Sequence, residues 1–256
     1  MITSPIRSIC ALTIVITLAA CSTPTDRAKA AYERGLASVQ LRDNEQAMAE
    51  FTAAISLDTT FAPAYAARAS LNSHDGHYAS AVEDLTAAIA LEPSSTEYFH
   101  NRAVAYFQLG ELDRALEDYS EVVRLDPSAT EDYVNRADIY FALGRYEDAI
   151  EDCERALQID PNQSDALSIM GSSQVNLGRP ALALPNLLRA LELNPANVGP
   201  LLTLGIAQAQ TGDYQSAKAS LESFLDHYPE GDPRFPTKET VREMIAQLNA
   251  EPTPAP

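Results

Sequence analysis

The sequence is poor in basic residues and in cysteine. Its 256 residues include 36 Asp and Glu but only 18 Lys and Arg, which gives a formal net charge of −18 at pH 7. Nucleic-acid backbones and anionic membrane surfaces are bound by clustered Lys and Arg, so the composition excludes a sequence-independent nucleic-acid role and a polybasic membrane patch. Three cysteines in a chain of this length exclude a disulfide-stapled scaffold. A hydrophobic fraction of 46% is nevertheless high enough for a folded core.

The sequence also lacks the familiar motifs of enzymes. It contains no HExxH, no glycine-rich phosphate loop and no nucleophile elbow. The one metal-like cluster, His74-Asp75-Gly76-His77, has two imidazoles and a carboxylate that could hold a divalent cation. Because its glycine belongs to a series of regularly spaced glycines, we expect a solvated turn there, with no metal, no other cofactor and no small-molecule substrate. An enzyme or metal protein built around this cluster is the least favoured function, after the adaptor and the assembly factor described at the end of this section.

The N-terminus has a short apolar run. Arg7 is followed by thirteen uncharged residues, Ser8–Ala20, which are too few for a membrane-spanning helix of roughly 20 residues. The run ends in Leu18-Ala19-Ala20-Cys21, which resembles the lipobox of bacterial lipoproteins. The resemblance implies that residues 1–20 are a signal peptide and that Cys21 becomes the acylated first residue of the mature chain. The alternative is an ordinary signal peptide followed by a chance cysteine.

The lipobox resemblance carries further expectations. Residues 21–27 would be the lipidated cysteine and a short tether, which would hold the folded body close to the bilayer. Ser22, rather than Asp, follows the cysteine, and this resembles the outer-membrane sorting pattern of Gram-negative lipoproteins. We therefore expect a chain anchored by its lipid in the outer membrane and facing the periplasm. With Cys10 removed and Cys21 modified, Cys153 would be the only free thiol, at a position occupied elsewhere by buried apolar residues.

Glycine, proline and alanine recur every 34 residues in the rest of the chain. The glycines are Gly76, Gly110, Gly144, Gly178 and Gly212, and the alanines are Ala47, Ala81, Ala115, Ala149, Ala183 and Ala217. The chain divides without insertion into six repeats, 28–61, 62–95, 96–129, 130–163, 164–197 and 198–231.

Each repeat has the pattern of two amphipathic helices joined by a turn at the glycine. Small residues at positions 8 and 20 of the repeat would let the two helices approach closely. Ser94-x-x-Glu97 and Ser128-x-x-Glu131 predict capping boxes at the starts of two helices. Pro185 lies inside a second helix, where it predicts a kink or a late helix start.

These repeats resemble tetratricopeptide repeats, and residues 133–161 show the pattern most fully. The resemblance implies an all-α fold, a right-handed superhelical solenoid of six helix-turn-helix repeats over 28–231. It departs from the family pattern at position 4, which is never Trp. Residues 237–249 are predicted to form an amphipathic capping helix, followed by a disordered tail over 250–256.

Arginine at position 7 and an acid at position 23 occur together. Repeats 1 to 4 contain both residues, whereas repeats 5 and 6 contain neither. We interpret them as ion pairs between the two helices of a repeat, in preference to an arginine ladder that binds an anionic ligand. The four predicted pairs are Arg34–Glu50, Arg68–Asp84, Arg102–Asp118 and Arg136–Asp152.

In this family the first helices of successive repeats line a concave groove, so the resemblance also implies a binding surface. Two phenylalanines one repeat apart, Phe107 and Phe141, would form its apolar centre, and two asparagines could bond a peptide backbone. The alternative is that both phenylalanines pack against the neighbouring repeat. The predicted groove residues are His100, Asn101, Val104, Phe107, Val134, Asn135, Asp138 and Phe141.

The groove lacks the Lys/Asn/Arg clamp with which chaperone-binding family members hold a C-terminal carboxylate, and its acidity favours a neutral or basic partner segment. We therefore expect a non-enzymatic, lipid-anchored adaptor that binds envelope proteins, similar in layout to repeat lipoproteins that scaffold peptidoglycan-remodelling enzymes. The alternative is a pilotin-like assembly factor for an outer-membrane secretin or type IV pilus machine.

Overall fold

The computed structural model describes residues 23–228 and 235–250. Thirteen α-helices and no strands occur in these residues, which confirms the all-α class. Odd-numbered and even-numbered helices up to α12 are the first and second helices of the six repeats. Their bounds are α1 Pro24–Gln40, α2 Asn44–Leu57, α3 Ala62–His74, α4 Tyr78–Leu91, α5 Thr96–Gln108, α6 Leu112–Leu125, α7 Thr130–Ala142, α8 Tyr146–Ile159, α9 Ser164–Asn176, α10 Pro180–Leu193, α11 Gly199–Gln210, α12 Tyr214–Asp226 and α13 Lys238–Ala250.

Within the described part of the chain, none of these helices combines the length and the apolar character that crossing a membrane would require.

Glycine at the turn of each repeat adopts the left-handed conformation. In repeats 2 to 6 the recurring glycine has φ between 70° and 84°. Repeat 1 has Arg42 at the same position, and this residue also adopts a positive φ, of 60°. A side chain in this region costs about 1 kcal/mol, so the turn geometry is imposed by the helix pair even where the sequence does not favour it.

The N-terminal boundary of the fold differs from the prediction. Helix α1 begins at Pro24, and Thr23 and Asp26 form a reciprocal capping box at its start. The helix therefore includes residues 24–27, which were expected to belong to the tether. Cys21 and residues 251–256 of the expected tail lie outside the described residues.

The capping boxes predicted at Ser94 and Ser128 are wrong. The residues that cap α5 and α7 are Ser95 and Ala129, and neither makes a side-chain capping bond. Ser128 instead donates its hydroxyl to Asp126 Oδ1 at 2.6 Å, and its backbone N–H donates to the same oxygen at 2.9 Å. Ser128 therefore stabilises the turn before α7 and does not cap the helix.

Helix α10 runs through Pro185 and starts at Pro180, one repeat after the start of α8 at Tyr146. The expected late start is thus wrong. Pro180 lies in the first turn of α10, where backbone N–H groups have no acceptor within the helix. A proline is therefore tolerated there, and the helix begins before Pro185.

The helices group into two compact units that divide between Ala115 and Leu116. In the first unit, Phe51 and Leu85 are fully buried among alanines of α2 to α5. In the second unit, Leu187 and Leu221 occupy the equivalent places. Each unit is thus a stack of helix pairs with a thin, alanine-rich core.

The close approach of the paired helices depends on small side chains. Ala47, Ala81, Ala115, Ala149, Ala183 and Ala217 at position 20 are all completely buried. A Cβ added to Gly171 would lie 2.7 Å from Cγ of Leu187, and one added to Gly205 would lie 2.7 Å from Cγ of Leu221. Such distances are far inside van der Waals contact, so an alanine at Gly171 or Gly205 would require the facing leucine to move.

The structure confirms three of the four predicted ion pairs. Arg136 donates through Nε and Nη2 to the two carboxylate oxygens of Asp152, both at 2.7 Å. Arg68 and Asp84 form the same bidentate pair at 2.9 and 2.7 Å. Arg34 donates to Glu50 at 3.0 and 2.7 Å. Arg102 belongs to the first unit and Asp118 to the second, and that pair stays a prediction.

Repeats 5 and 6 replace the ion pair by a neutral hydrogen bond. Asn186 donates to the amide oxygen of Gln174 at 2.9 Å, and Ser220 donates to that of Gln208 at 2.7 Å. Both glutamines are at position 11 of their repeats. The seam between the two helices is therefore polar in repeats 5 and 6 as well, although it carries no charge there.

Helix α13 covers the end of repeat 6, close to the predicted 237–249. Val241 is completely buried against Leu221 and Phe224, and Ile245 and Leu248 pack around them. The second unit thus closes its C-terminal end with an apolar helix face.

Replacing Arg136 by Leu should destabilise the fold by about 3–5 kcal/mol, because it leaves the Asp152 carboxylate buried and unpaired. Burial already raises the pKa of Asp152, and the Arg136 guanidinium opposes that rise. The matched control is Arg34→Leu at the same repeat position, where the arginine side chain is 59% exposed rather than 15%. Urea unfolding followed by circular dichroism should show a much larger loss for Arg136→Leu; equal losses would contradict the buried pair.

Candidate partner-binding surfaces

First helices neighbour one another within each unit. In the first unit α3 contacts α5, and in the second unit α7 contacts α9, which contacts α11. Second helices such as α2 and α8 lie against the next first helix, α3 and α9. The solvent-facing sides of α3 and α5 are therefore continuous, as are those of α7, α9 and α11.

We define the α5 surface as His100, Asn101, Val104 and Phe107. Their spacing of i, i+1, i+4 and i+7 places them on one face of the helix. The first three are half-buried, and Phe107 is 39% exposed. An aromatic ring exposed next to an amide side chain provides an apolar anchor and a partner for backbone hydrogen bonds.

We define the α7 surface as Val134, Asn135, Asp138 and Phe141. Asp138 is exposed, and Asn135 is half-buried. Val134 and Phe141 pack against the core cluster around Cys153 and Met170. The ring of Phe141 lies 5.5 Å from that of Tyr146, at an angle of 58°. Phe141 is therefore partly a packing residue, as the alternative interpretation of the two phenylalanines expected.

Acidic side chains border both surfaces. Glu97 and Glu131, at position 2 of their repeats, are exposed in the first turns of α5 and α7. Together with Asp138 they give these helix faces a negative character, which favours a neutral or basic ligand over an acidic one.

The remaining candidate residues from the sequence analysis are His74, His77, Cys153 and the arginines between paired helices. Among the described residues, no three His, Cys, Asp or Glu side chains are grouped as metal ligands, and His74 and His77 are exposed. Cys153 is completely buried, and burial raises the pKa of its thiol, so the reactive thiolate is disfavoured. Arg34, Arg68 and Arg136 each bond the acid of their own repeat, as the ion-pair interpretation predicts.

The sequence-based site missed two exposed areas. Leu36 and Val39 on α1 are 40% and 39% exposed, at the same repeat positions as Val104 and Phe107. A cleft of about 350 Å³ also opens between α11, α12 and α13, lined by Ile206, Ala209, Tyr214, Met244 and Leu248 among others. The repeat position could have indicated the first area. The second depends on how α13 docks, which no repeat position specifies.

Comparison with known proteins identifies the repeats directly. Models of the tetratricopeptide repeat match residues 28–61, 96–129, 131–163 and 170–232. Two of these segments, 28–61 and 96–129, have the bounds that the 34-residue period predicts for repeats 1 and 3. Among proteins of curated function, none matches this sequence significantly.

Several solved structures share the fold. PilF of Pseudomonas aeruginosa aligns with a TM-score of 0.69 at 18% identity, over 88% of this chain and 99% of its own. The type IV pilus biogenesis factor PilW aligns with a TM-score of 0.66 at 16% identity, over 84% and 98%. YrrB, described as a repeat protein with an unusual peptide-binding site, aligns with a TM-score of 0.61 at 19% identity, over 71% and 93%. At these identities the likeness shows the fold alone.

The two phenylalanines should differ in their contribution to stability. Phe107→Ala should change the free energy of unfolding by less than about 1 kcal/mol, because the ring is exposed. Phe141→Ala should cost about 1–3 kcal/mol, because it removes packing against Tyr146 and the adjacent core. Thermal unfolding of the two variants measures this difference, and an equal loss in both would show that Phe107 is also a packing residue.

Proposed function

Because this chain belongs to the tetratricopeptide repeat family, whose members are typically non-catalytic interaction modules, we propose that it is a lipid-anchored protein scaffold of the bacterial cell envelope. It binds segments of partner proteins on the exposed faces of its first helices. The observation that carries the proposal is the exposed Phe107 on the α5 surface, beside the half-buried Asn101. Exposed aromatic side chains of this kind are common anchors in protein interfaces.

The chemistry of these faces restricts the ligand. Phe107 offers an apolar anchor, Asn101 and Asn135 offer both a donor and an acceptor, and Glu97 and Glu131 add negative charge. An extended segment or a helix with apolar side chains and a neutral or basic character fits this combination. An acidic C-terminal peptide does not.

The N-terminus supports attachment to a membrane. Leu18-Ala19-Ala20-Cys21 is the lipobox-like sequence, and α1 has its cap at Thr23. Two chain steps from Cys21 to Thr23 span at most about 7 Å, so a lipid on Cys21 would hold the first helix next to the bilayer. Ser22 after the cysteine favours the outer membrane, with the repeats in the periplasm.

A second candidate function is assistance in the assembly of a type IV pilus or its secretin. The observation that favours it is the extent of the alignment with PilF and PilW, each of which this chain covers almost completely. A repeat scaffold of the same length would suit the same kind of assembly. The adaptor remains the first choice, because the identities of 16–18% support no shared binding site.

Capture of envelope proteins on the purified chain separates the two candidates. Wild-type protein should retain cell-wall hydrolases or other soluble envelope enzymes if it is an adaptor, and secretin or pilin subunits if it is an assembly factor. Phe107→Ala should reduce capture of the specific partner about tenfold, because it removes the exposed anchor. His77→Ala, which changes an exposed turn in the same unit, is the control and should leave capture unchanged.

Equal capture by wild type and Phe107→Ala would remove the α5 surface from the proposal. Capture that is lost equally in Phe107→Ala and His77→Ala would also contradict a specific site.

Lipid attachment has its own test. Cells fed a labelled fatty acid should incorporate the label into the wild-type chain and into Cys10→Ala, but not into Cys21→Ala, which should appear in the soluble periplasmic fraction. Cys10 is a matched control because it lies in the same N-terminal segment, upstream of the expected cleavage point. Label that persists in Cys21→Ala would rule out acylation at this residue.

A further inference from the structure

Two small residues of α1, Ala30 and Ala37, are exposed although their counterparts are buried in every later repeat. We define the α1 end face as Ala30, Arg34, Ala37 and Leu41, spaced i, i+4, i+7 and i+11 along one side of the helix. All four are exposed, and Leu41 is 82% exposed. The residues at the position of Ala30 in the later repeats are all buried: Ala64, Tyr98, Asp132, Ala166 and Pro200. The residues at the position of Ala37 are buried as well: Leu71, Ala105, Ile139, Ser173 and Ala207.

Later repeats show what covers this face. In the first unit α2 lies against α3 and α4 lies against α5, and in the second unit α8 lies against α9. The covering element is in each case the second helix of the preceding repeat. Ile55 of α2 and Ala64 of α3 share one buried cluster, which shows that the contact is apolar and close.

A hydrogen bond joins the same two elements. Nη1 of Arg68 donates to Oγ1 of Thr52 at 3.3 Å, and Nη1 of Arg102 donates to Oγ1 of Thr86 at 3.1 Å. In the second unit, Nη1 of Arg136 donates to Oγ of Ser120 at 3.0 Å. In all three cases the acceptor lies 16 residues before the arginine. The arginine thus bonds an acid in its own repeat through Nε and Nη2, or is predicted to, and a hydroxyl in the preceding repeat through Nη1.

The sequence links the two residues as well. Hydroxyl residues occur 16 positions before Arg68, Arg102 and Arg136. Where the arginine is replaced, by Met170 and Leu204, the earlier position holds Glu154 and Leu188 instead. An arginine at position 7 is therefore accompanied by a hydroxyl on the helix that covers it.

Among the described residues, no helix lies against Arg34 as α2 lies against Arg68. Its Nε and Nη2 bond Glu50, while Nη1 has no hydrogen-bond partner among the described residues. The Arg34 side chain is 59% exposed, compared with 24% for Arg68 and 15% for Arg136. The α1 end face thus has the donor and the small apolar residues of an internal repeat interface, but is open to solvent.

The last repeat of the second unit is covered by a further helix. Helix α13 buries Val241 against Leu221 and Phe224 and occupies the place where a further repeat would continue. A second copy therefore offers no free second-helix face at its C-terminal end to stack on α1. This argues against head-to-tail association as the use of the α1 end face.

We propose that the α1 end face binds an α-helix of a partner protein, in the way that α2 binds α3. The helix carries Ser or Thr, whose hydroxyl accepts a hydrogen bond from Nη1 of Arg34, and a β-branched apolar residue three positions later. This is the pattern of the covering helices in this chain: Thr52 and Ile55, Thr86 and Ile89, Ser120 and Val123. The proposal is independent of the α5 and α7 surfaces, which lie on other helices.

A synthetic peptide of residues 78–95, which contains Thr86 and Ile89, serves as the probe. The helices and the core clusters that hold them together lie within residues 23–250, so the titration uses residues 23–256 labelled with ¹⁵N. Peptide addition up to about 1 mM should shift the amide signals of α1 and the Nε–H signal of Arg34 in a saturable way. Ala37→Glu should weaken binding by about tenfold or more, because it places a charge in the apolar contact.

Two matched variants make the titration specific. Ala181→Glu introduces the same charge at an exposed position of α10 and should leave the affinity unchanged. A peptide with Thr86→Val should bind the wild-type protein about threefold to tenfold more weakly than the unchanged peptide does. The two peptides should bind the Arg34→Leu protein equally well, because that protein has no donor for the hydroxyl.

Three results would overturn the proposal. One is the absence of shifts on α1 at the highest peptide concentration. Another is equal binding by wild type and Ala37→Glu. The third is a dimer of the chain, seen by sedimentation, that dissociates in Ala37→Glu, because the occupant of the face would then be a second copy.

Discussion

Within each unit, the close approach of the two helices of a 34-residue repeat is the constraint on which the rest of the structure depends. Alanine at position 20 is completely buried in all six repeats, and position 8 holds only alanine or glycine. A Cβ on Gly171 or Gly205 would collide with the facing leucine. With so thin an interface, each repeat buries little apolar area by itself, and its stability comes from stacking on its neighbours.

Polar bonds along the same seam fix how the helices align. Arg68 and Arg136 bind an acid across the helix pair and a hydroxyl of the preceding repeat, so one side chain joins three helices. In repeats 5 and 6 a glutamine at position 11 replaces the arginine, and the bond becomes neutral. These bonds satisfy groups inside the fold. We propose that binding uses the solvent-facing side of the first helices and the open end of α1, which these internal bonds leave available.

Much of this could be predicted from the sequence, because the 34-residue period aligns equivalent residues. The period gave the bounds of the repeats, and the joint occurrence of Arg and acid gave the pairs of Arg68 and Arg136. Other features depend on neighbours outside the period. Phe107 and Phe141 have the same repeat position, but Tyr146 packs on Phe141, whereas Leu112 is the equivalent residue after Phe107. The start of α1 was missed although Thr23 and Asp26 have capping-box spacing, because the lipobox-like segment suggested a tether.

In the proposed mode of binding, the first helices contact other molecules and the second helices support them. Hydrogen–deuterium exchange of the chain, alone and with its captured partner, tests this most directly. Protection that appears on binding should lie in the first helices α1, α3, α5, α7, α9 and α11, with the second helices unchanged. Protection confined to the second helices, α2, α4, α6, α8, α10 and α12, would contradict it.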